Sequence, residues 1–280
     1  MEYQKSVVEL IRMRTSTRSF DGKNLHNARL KKMEDYISKI NEGVKIKARF
    51  SITSNTSAEG SKVEKLGTYG VISGANSYII GILGNNEENA PEFGYLFEKI
   101  ILFATDLGLQ TCWLGGTFKK QDFEQNMNLH EGEYIPIVSP IGYKKEKLRV
   151  VDSAMRAIAG SDKRKPWNEL FFEENFPNPL NEQRAGAYAG PLEMIRLAPS
   201  ASNKQPWRII KDDKKFHFYL CRTKGYGVAN YDLQKNDIGI AKCHFELTAK
   251  ELGLKGKWEN QKNISLPNEW EYMTTWYIEA

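Results

Sequence analysis

A repeated segment is the feature that most limits how this chain can fold. Shifting the sequence by 145 positions (253 minus 108) superimposes Leu107-Gly108-Leu109-x3-Trp113 on Leu252-Gly253-Leu254-x3-Trp258 and carries Gly94 onto Gly239. Junctions of helix, glycine and strand are common enough for coincidence to be the alternative. Tryptophans at matched spacing nevertheless favour two units of similar architecture joined in one chain.

Each copy predicts an amphipathic helix that ends at a glycine cap, Gly108 in the first and Gly253 in the second. Runs with strand character lie around both helices, so we expect an α+β fold. The apolar helix positions are Phe93, Leu96, Phe97, Ile100, Ile101, Ala104 and Leu107, then Ile238, Ala241, Phe245 and Leu252. The strand-like runs are Val71–Ile72 continuing to Ser77–Leu83, Ile135–Val138, Ile209–Ile210 and Phe216–Leu220.

The length of 280 residues suits two units, each with a core of its own, and one merged domain is the alternative. The boundary is predicted near Asn181, which gives a first unit of residues 1–181 and a second of residues 182–280. The stretch Ala159–Pro191 is rich in charge, proline and asparagine, and we expect it to be the crossover between the units.

Composition narrows the class of protein. Hydrophobic residues make up 40% and charged residues 27% of the chain, which is typical of a globular protein. No run of about 18 apolar residues occurs, and the first residues lack a secretory pattern, so we expect a cytoplasmic protein with no membrane partner. The net charge of +5 leaves room for an anionic ligand. Interspersed acidic residues argue against a nucleic-acid partner.

The cysteines and histidines predict neither a disulfide framework nor a metal site. Cys112, Cys221 and Cys243 are few and scattered, so we expect free thiols. Cys243 and His244 are neighbours, but no second such pair completes a tetrahedral metal site. The other histidines are isolated in the sequence, and no general acid or base is predicted.

The phosphate segment, Arg14–Phe20, follows a predicted short helix at Gln4–Met13. Arg14, Ser16 and Arg18 occupy alternate positions, and alternate side chains of an extended chain share one face. Two guanidinium groups and a hydroxyl would then converge, which suits bidentate binding of a phosphate. The alternative is a solvated basic loop.

The polar loop, Ala198–Trp207, combines two prolines, short polar side chains and a tryptophan. Pro199 and Pro206 fix backbone angles, and the Ser, Asn and Gln side chains between them can donate and accept hydrogen bonds. Such a loop could hold backbone against a flat ligand. The alternative is a polar turn that leads into a strand, with Trp207 buried in a core.

Together these segments resemble the FMN-dependent nitroreductase family. The family's early Arg-x-Ser-x-Arg-x-Phe pattern stands in the phosphate segment, and its Pro-Ser-x-x-Asn-x-Gln-Pro-Trp pattern stands in the polar loop. Leu107–Gly116 is similar to the family's helical Gly-Leu-x-x-x-Trp element. Gly142-Tyr143 and the late basic segment Lys163–Pro166 extend the likeness over most of the chain.

Ordinary members of that family bind FMN across a homodimer interface, whereas here each ligand motif occurs once, in a different half. The chain therefore resembles the doubled-chain subgroup, and the first half offers only Phe50–Asn55 where its own ring-lining loop would fall. The resemblance implies a nitroreductase-like three-layer α/β/α fold of two fused half-repeats. It also implies an intramolecular pseudo-dimer that can exist as a monomer and that binds one FMN per chain.

The resemblance implies a function as well. NAD(P)H would donate hydride to flavin N5, and a nitroaromatic, quinone or similar acceptor would be reduced in turn, a ping-pong reaction that needs no catalytic side chain. Lys204 or Arg208 would stabilise the reduced ring. The alternative is a flavin-binding sensor or storage protein without turnover. The residues implied to bind FMN are Arg14, Thr15, Ser16, Arg18, Trp113, Leu114, Gly115, Gly116, Arg164, Lys165, Pro199, Ser200, Ala201, Asn203 and Gln205.

Overall fold

A computed structural model describes residues 3–54, 67–84, 87–146, 163–262, 264, 267 and 269–279. Its helices are α1 Val7–Met13, α2 Asn27–Gly43, α3 Ala90–Asp106, α4 Lys120–Glu124, α5 Trp167–Leu170, α6 Glu182–Ala185, α7 Ala189–Leu197 and α8 Leu233–Glu251. Its strands are β1 Ala48–Ser54, β2 Ser77–Gly84, β3 Gln110–Thr111, β4 Glu133–Gly142, β5 Phe171–Glu173, β6 Trp207–Asp212, β7 Lys215–Leu220, β8 Gly256–Glu259 and β9 Glu271–Ile278. The predicted mixture of helices and strands in both halves is confirmed.

The first sheet has the strand order β1-β2-β4-β3, and every neighbouring pair is antiparallel. Side chains alternate between its two faces along β2. Ile79 and Leu83 lie in a core with α2 and α3, whereas Ile80 and Ile82 lie in a second core on the opposite face. Because both faces are buried, β2 reads as an almost continuous apolar run.

The second sheet has the order β5-β6-β7-β9-β8. Its strands β6-β7-β9-β8 repeat the order and antiparallel pairing of the first sheet. The additional edge strand β5 is parallel to β6, and a parallel partner needs a long connection rather than a hairpin. Phe171 of β5 is fully buried in the core of this sheet. The predicted crossover therefore packs on the second sheet.

The helices α3 and α8 pack against each other through two glycines. A Cβ at Gly94 would lie 3.0 Å from Cγ of Asn236, and a Cβ at Gly239 would lie 2.8 Å from the carbonyl carbon of Pro91. The shift of 145 positions (239 minus 94) carries Gly94 onto Gly239 and Pro91 onto Asn236. Each contact is thus the image of the other, which is the relation that an isologous interface requires.

Both central helices also end in the same way. Gly108 and Gly253 have φ values of 73° and 72°, a left-handed conformation that glycine adopts without strain. In each case the next residue donates its N–H to the helical carbonyl five positions earlier, at 2.9 Å, which is the long hydrogen bond of a Schellman motif. The predicted glycine caps are confirmed.

Three sequence-based expectations about local structure are wrong. The first helix begins at Val7 rather than Gln4, because Ser6 caps it by accepting from Glu9 N. Val71 and Ile72 lie in a turn rather than a strand. Leu252 is exposed, since it follows the last helical residue instead of continuing the apolar face.

The proposed counterpart of the polar loop in the first half also needs correction. Residues 50–54 lie in β1, and Asn55 lies outside the described residues. The strand order pairs β1 with β6, so the segment that corresponds to the polar loop is Val44–Lys47, between α2 and β1. Residues 159–162 of the expected crossover also lie outside the described part of the chain.

Candidate functional site

The phosphate segment follows α1 as an extended stretch at the edge of the first sheet. Ser16 pairs with Thr111 of β3 in a parallel bridge, and Thr17 N donates to Thr111 O at 2.9 Å. On the other side, Arg18 O accepts from Ser73 N at 2.9 Å. Backbone hydrogen bonds therefore hold the extended conformation in which alternate side chains share a face.

Arg14, Ser16 and Arg18 all lie close enough to the buried thiol of Cys112 to affect its titration. Burial raises the pKa of this thiol, while the charges of Arg18 and Arg14 and a hydrogen bond with Ser16 oppose the rise. Arg14 is only 8% exposed, and its Nε and Nη1 have no hydrogen-bond partner among the described residues. Buried donors without partners are rare and costly, so this guanidinium indicates a place for an anion. Thr15, in contrast, is exposed.

The glycine stretch, Trp113–Gly116, begins with two side chains that the protein interior holds. The Trp113 indole N–H donates to Glu98 Oε2 at 2.9 Å, and its ring packs on Phe97. Leu114 is buried and exchanges two backbone hydrogen bonds with Val138. These contacts fix the start of the stretch, and a role for Trp113 and Leu114 in cofactor binding stays a prediction.

Gly115 and Gly116 lie where other segments approach closely. A Cβ at Gly115 would stand 2.5 Å from Leu233 Cδ2, and a Cβ at Gly116 would stand 2.7 Å from Val228 Cγ1. Glycine at both positions permits this approach. A side chain at either position would have to displace Leu233 or Val228, and contact of this backbone with a ligand stays a prediction.

The polar loop is partly buried and strained. Ser202, Asn203 and Gln205 have φ values of 46°, 54° and 48°, in the left-handed region that residues other than glycine rarely adopt. Such conformations persist where surrounding contacts enforce them, and they cluster at ligand sites. Ser200 provides one enforcing contact, because its Oγ accepts from Gln205 N at 2.9 Å. Pro199 is partly buried beside it.

A short basic stretch, the crossover arm Lys163–Lys165, lies against the polar loop. Arg164 Nη1 donates to Asn203 Oδ1 at 2.9 Å, and Lys165 N donates to Gln205 Oε1 at 2.8 Å. Asn203 Nδ2 in turn donates to the carbonyl at the start of the arm, at 2.7 Å. The structure thus joins two predicted groups of site residues that are far apart in the sequence.

Positive charge accumulates beside the polar loop. Trp207 is fully buried, as the core alternative predicted, and Arg208 donates to the carbonyl oxygens of Gln205 and Trp207 at 3.1 and 2.6 Å. Burial, followed by the charges of Arg208 and then Lys204, lowers the pKa of Lys165. Burial also lowers the pKa of Arg208. Glu169 opposes both shifts without reversing them, and an anionic ligand beside these cations would oppose them further.

The first turns of α8 connect the glycine stretch with the polar loop. Leu233 lies against Gly115, and the Asp237 carboxyl oxygens accept from Ala201 N at 3.1 and 3.2 Å. Residues four apart share one face of a helix, so Gly115 and Ala201 stand on the same side of α8. Asp237 was not predicted as a site residue from the sequence. The one available signal was its position directly before Ile238, the first apolar position of the predicted helix.

The helix that precedes the phosphate segment packs against the helix that precedes the polar loop. Leu10 of α1 and Met194 of α7 lie in one core. The phosphate segment follows α1 directly, and the polar loop follows α7 directly. Arg164 Nη2 donates to Leu197 O at 3.2 Å, which ties the crossover arm to the end of α7. Contacts within the described residues therefore join the glycine stretch, the polar loop and the crossover arm, whereas the phosphate segment is connected to them through the packing of α1 on α7.

Within the described residues there is no group of three or more His, Cys, Asp or Glu side chains that could hold a metal ion. All three cysteines are free, with Cys112 and Cys243 buried and Cys221 partly exposed. None of the described helices has both the length and the apolar content needed to cross a membrane.

A family model described as "Putative TM nitroreductase" matches residues 6–249 of the sequence. The chain belongs to this nitroreductase family. The resemblance noted in the sequence is thereby confirmed. A solved "putative nitroreductase" from Thermotoga maritima is 20% identical, covers 99% of this chain and 94% of its own, and has a TM-score of 0.56. This similarity shows the nitroreductase fold.

Two shorter solved structures also match. A nitroreductase with bound FMN from Bacteroides fragilis is 19% identical over 52% of this chain and 92% of its own, with a TM-score of 0.39. A "Putative NADH dehydrogenase/NAD(P)H nitroreductase" from Bacteroides thetaiotaomicron is 18% identical over 51% of this chain and 89% of its own, with a TM-score of 0.40. No curated protein matches the sequence.

Proposed function

We propose that this nitroreductase-family chain is an FMN-dependent NAD(P)H oxidoreductase that reduces nitroaromatic, quinone or similar small-molecule acceptors. Family membership supports the reaction class. The observation that carries the cofactor assignment is the buried guanidinium of Arg14, whose Nε and Nη1 have no hydrogen-bond partner in the described residues. A dianionic phosphate beside this guanidinium would accept charge-assisted hydrogen bonds from it.

In this proposal the phosphate segment holds the FMN phosphate through Arg14, Ser16 and Arg18. The polar loop and the backbone of Gly115 and Gly116 hold the ring. Bound FMN would supply the two-electron chemistry that takes hydride from a nicotinamide and passes it to an acceptor. The cations beside the polar loop would stabilise negative charge that develops on the ring. No side chain is required as a proton donor or nucleophile.

We also propose that the chain is an internal duplication, a fused pseudo-dimer with three layers divided into residues 1–181 and 182–280. The matching strand orders and the reciprocal contacts at Gly94 and Gly239 support this. The loop before β6 has nine residues, 198–206, whereas four residues, Val44–Lys47, precede β1. This difference supports a single FMN site per chain, and the internal interface would let the chain exist as a monomer.

A comparison of two arginines that lie two positions apart in the sequence tests the cofactor assignment. Arg14 is buried without a full set of partners, whereas Arg12 on α1 is exposed. Losing one charge-assisted contact of about 1.5–3 kcal/mol weakens binding by roughly 10- to 100-fold. We therefore expect Arg14→Ala to weaken FMN binding by about that factor, and Arg12→Ala to leave it within about twofold. Arg14→Lys keeps the charge and should lie between them.

The measurements are the flavin absorption spectrum of the purified protein, a count of released FMN per chain, and FMN titrations of the variants. Oxidation of NADH and NADPH is then followed with a nitrobenzoate and with a benzoquinone as acceptors. One FMN per chain and acceptor-dependent oxidation are the expected results. No binding at excess FMN, or equal affinities of the Arg14 and Arg12 variants, would refute the assignment.

A flavin-binding protein without turnover is the second candidate. The observation in its favour is that the first half has only four residues, Val44–Lys47, where the second half has nine, 198–206, so a scaffold of this kind can be kept without a functional site. This candidate predicts that FMN binds stoichiometrically but that neither NADH nor NADPH bleaches the flavin absorption. Bleaching by either nicotinamide on mixing excludes it.

A further inference from the structure

The Asp237 carboxyl occupies an unusual position for an acidic side chain. The residue is 2% exposed, although it lies only one turn into α8. Both of its oxygens lie within 3.2 Å of Ala201 N, in the loop that is proposed to face the flavin ring. A side chain in this position can set where the loop backbone stands relative to Gly115 on the opposite wall.

We propose that Asp237 is a positioning residue of the flavin site: its buried carboxyl fixes Ala201, and loss of its proton releases the polar loop and weakens flavin binding. The inference rests on the proposed function, because it concerns the same site. It goes beyond that function by assigning a role to a residue outside the recognised motifs and by predicting how the site responds to pH.

The groups that face Asp237 provide no positive charge. Asp232 lies on its own helix cap, and Tyr226 and Tyr231 come from the connection between β7 and α8. Asp232 forms an ion pair with Arg222, in which Arg222 Nη2 lies 2.7 Å from Asp232 Oδ2. Within the described part of the chain, no Lys, Arg or His forms an ion pair with Asp237. An ionised carboxylate here would be buried without compensation, which is costly.

The direction of the pKa shift agrees with this geometry. Burial raises the pKa of Asp237 well above its usual value, and the charge of Asp232 adds to the rise. The N–H of Ala201 and the side chain of Asn236 act in the opposite direction without reversing it. The Asp237 carboxyl therefore keeps its proton to a higher pH than an exposed aspartate does.

The sign of the pH effect follows from linkage. Because the folded-state pKa is raised, the stabilising contribution of the neutral group is complete below the unfolded pKa of about 3.9. It is lost as the pH rises through the folded pKa. The decline therefore lies between the unfolded and the folded pKa, and above the folded pKa none of the contribution remains. The ionised carboxylate is better hydrated when the polar loop opens, so we expect FMN affinity to fall over the same pH interval.

Asp237→Asn is the decisive variant. The amide oxygen can still accept from Ala201 N, but the side chain has no proton to lose. FMN affinity is measured by fluorescence quenching at pH 5 and pH 9, and the Asn variant reports the effect of titrating the flavin phosphate itself. We expect the ratio of the wild-type Kd to the Kd of the Asn variant to rise at least about threefold between these pH values, since affinity changes up to tenfold per pH unit between the pKa values of the open and closed states.

A second variant and a flavin-free measurement complete the test. Asp237→Ala removes the hydrogen bond at every pH, so it should bind FMN about five- to tenfold more weakly at both pH values. Urea unfolding without flavin should show wild-type stability falling relative to Asp237→Asn as pH rises. Identical pH profiles of Kd and of stability for wild type and Asp237→Asn would overturn the inference alone. Absence of FMN binding in every variant would refute the proposed function and this inference with it.

Discussion

The contact between α3 and α8 gives a sharp test of the relation between the two halves. A methyl group added at Gly239 would lie 2.8 Å from the carbonyl carbon of Pro91 and from the backbone N of Tyr95, with the Pro91 oxygen closer still. At Gly94 the corresponding obstacle is Asn236, again including its backbone oxygen. Carbon atoms in contact prefer separations of about 3.5–4.0 Å. Because backbone cannot rotate aside, the two helices must move apart.

Two opposing effects set the size of the result. Overpacking a well-packed core costs about 1–3 kcal/mol, and an obstacle made of backbone places these sites near the upper end. Replacing a helical glycine by alanine gains about 1 kcal/mol of helix propensity. The clash exceeds the gain, so we expect Gly94→Ala and Gly239→Ala each to lose about 2 kcal/mol of unfolding free energy. The matched control is Gly43→Ala on α2, where a methyl group meets nothing within 4 Å.

Urea denaturation of the three single variants and the Gly94→Ala/Gly239→Ala double variant measures these effects. The control should be as stable as wild type or up to about 1 kcal/mol more stable. Helices already separated by the first methyl group accommodate the second at lower cost, so the double variant should lose at least about 0.5 kcal/mol less than the sum. Wild-type stability of either single variant, or strict additivity, would show that the glycines do not share one helix crossing.

Substitutions at three other positions have defined outcomes. Glu98→Gln keeps an acceptor for the Trp113 N–H and can donate to His244 Nε2, so it should stay within about 1 kcal/mol of wild type in urea unfolding. Glu98→Leu leaves both partners unsatisfied and should lose about 3 kcal/mol or more. Gly253→Ala should lose about 1 kcal/mol, since φ there is 72°. Cys221→Ser should remove the thiol that Ellman's reagent modifies first in the native protein, because the other two cysteines are buried.

The parts of the fold that the sequence predicted correctly are those with local signals. The helix around Phe97 has apolar residues every three or four positions. It ends at Gly108, whose left-handed φ favours glycine over other residues. The prediction of a strand at Val71 and Ile72 was wrong because two adjacent apolar residues do not define a periodic pattern. Gly70 and Gly74, on either side, adopt positive φ and turn the chain there.

In the candidate site, too, local sequence patterns were predictable, whereas contacts between distant segments were not. The alternation of Arg14, Ser16 and Arg18 is local, and the structure places these side chains near one thiol as the period of two requires. The pairing of Arg164 with Asn203 was beyond sequence reasoning, since it depends on how the crossover returns to the second sheet. The burial of Asp237 was equally inaccessible, because it depends on how the polar loop and the connection from β7 to α8 approach the start of α8.

The two sheets have the same strand order, but the connections between their strands and helices differ in length. The connection from β7 to α8 spans 12 positions, 221–232, whereas the connection from β2 to α3 spans five, 85–89. In the longer one, Tyr226 donates to Ser202 Oγ at 2.8 Å and Val228 stands against Gly116, so it touches both the polar loop and the glycine stretch. Surface connections can change length while the packed helices keep their reciprocal contacts. A second flavin site in the first half would therefore lack both its loop and its cover, which is the physical reason to expect one FMN per chain.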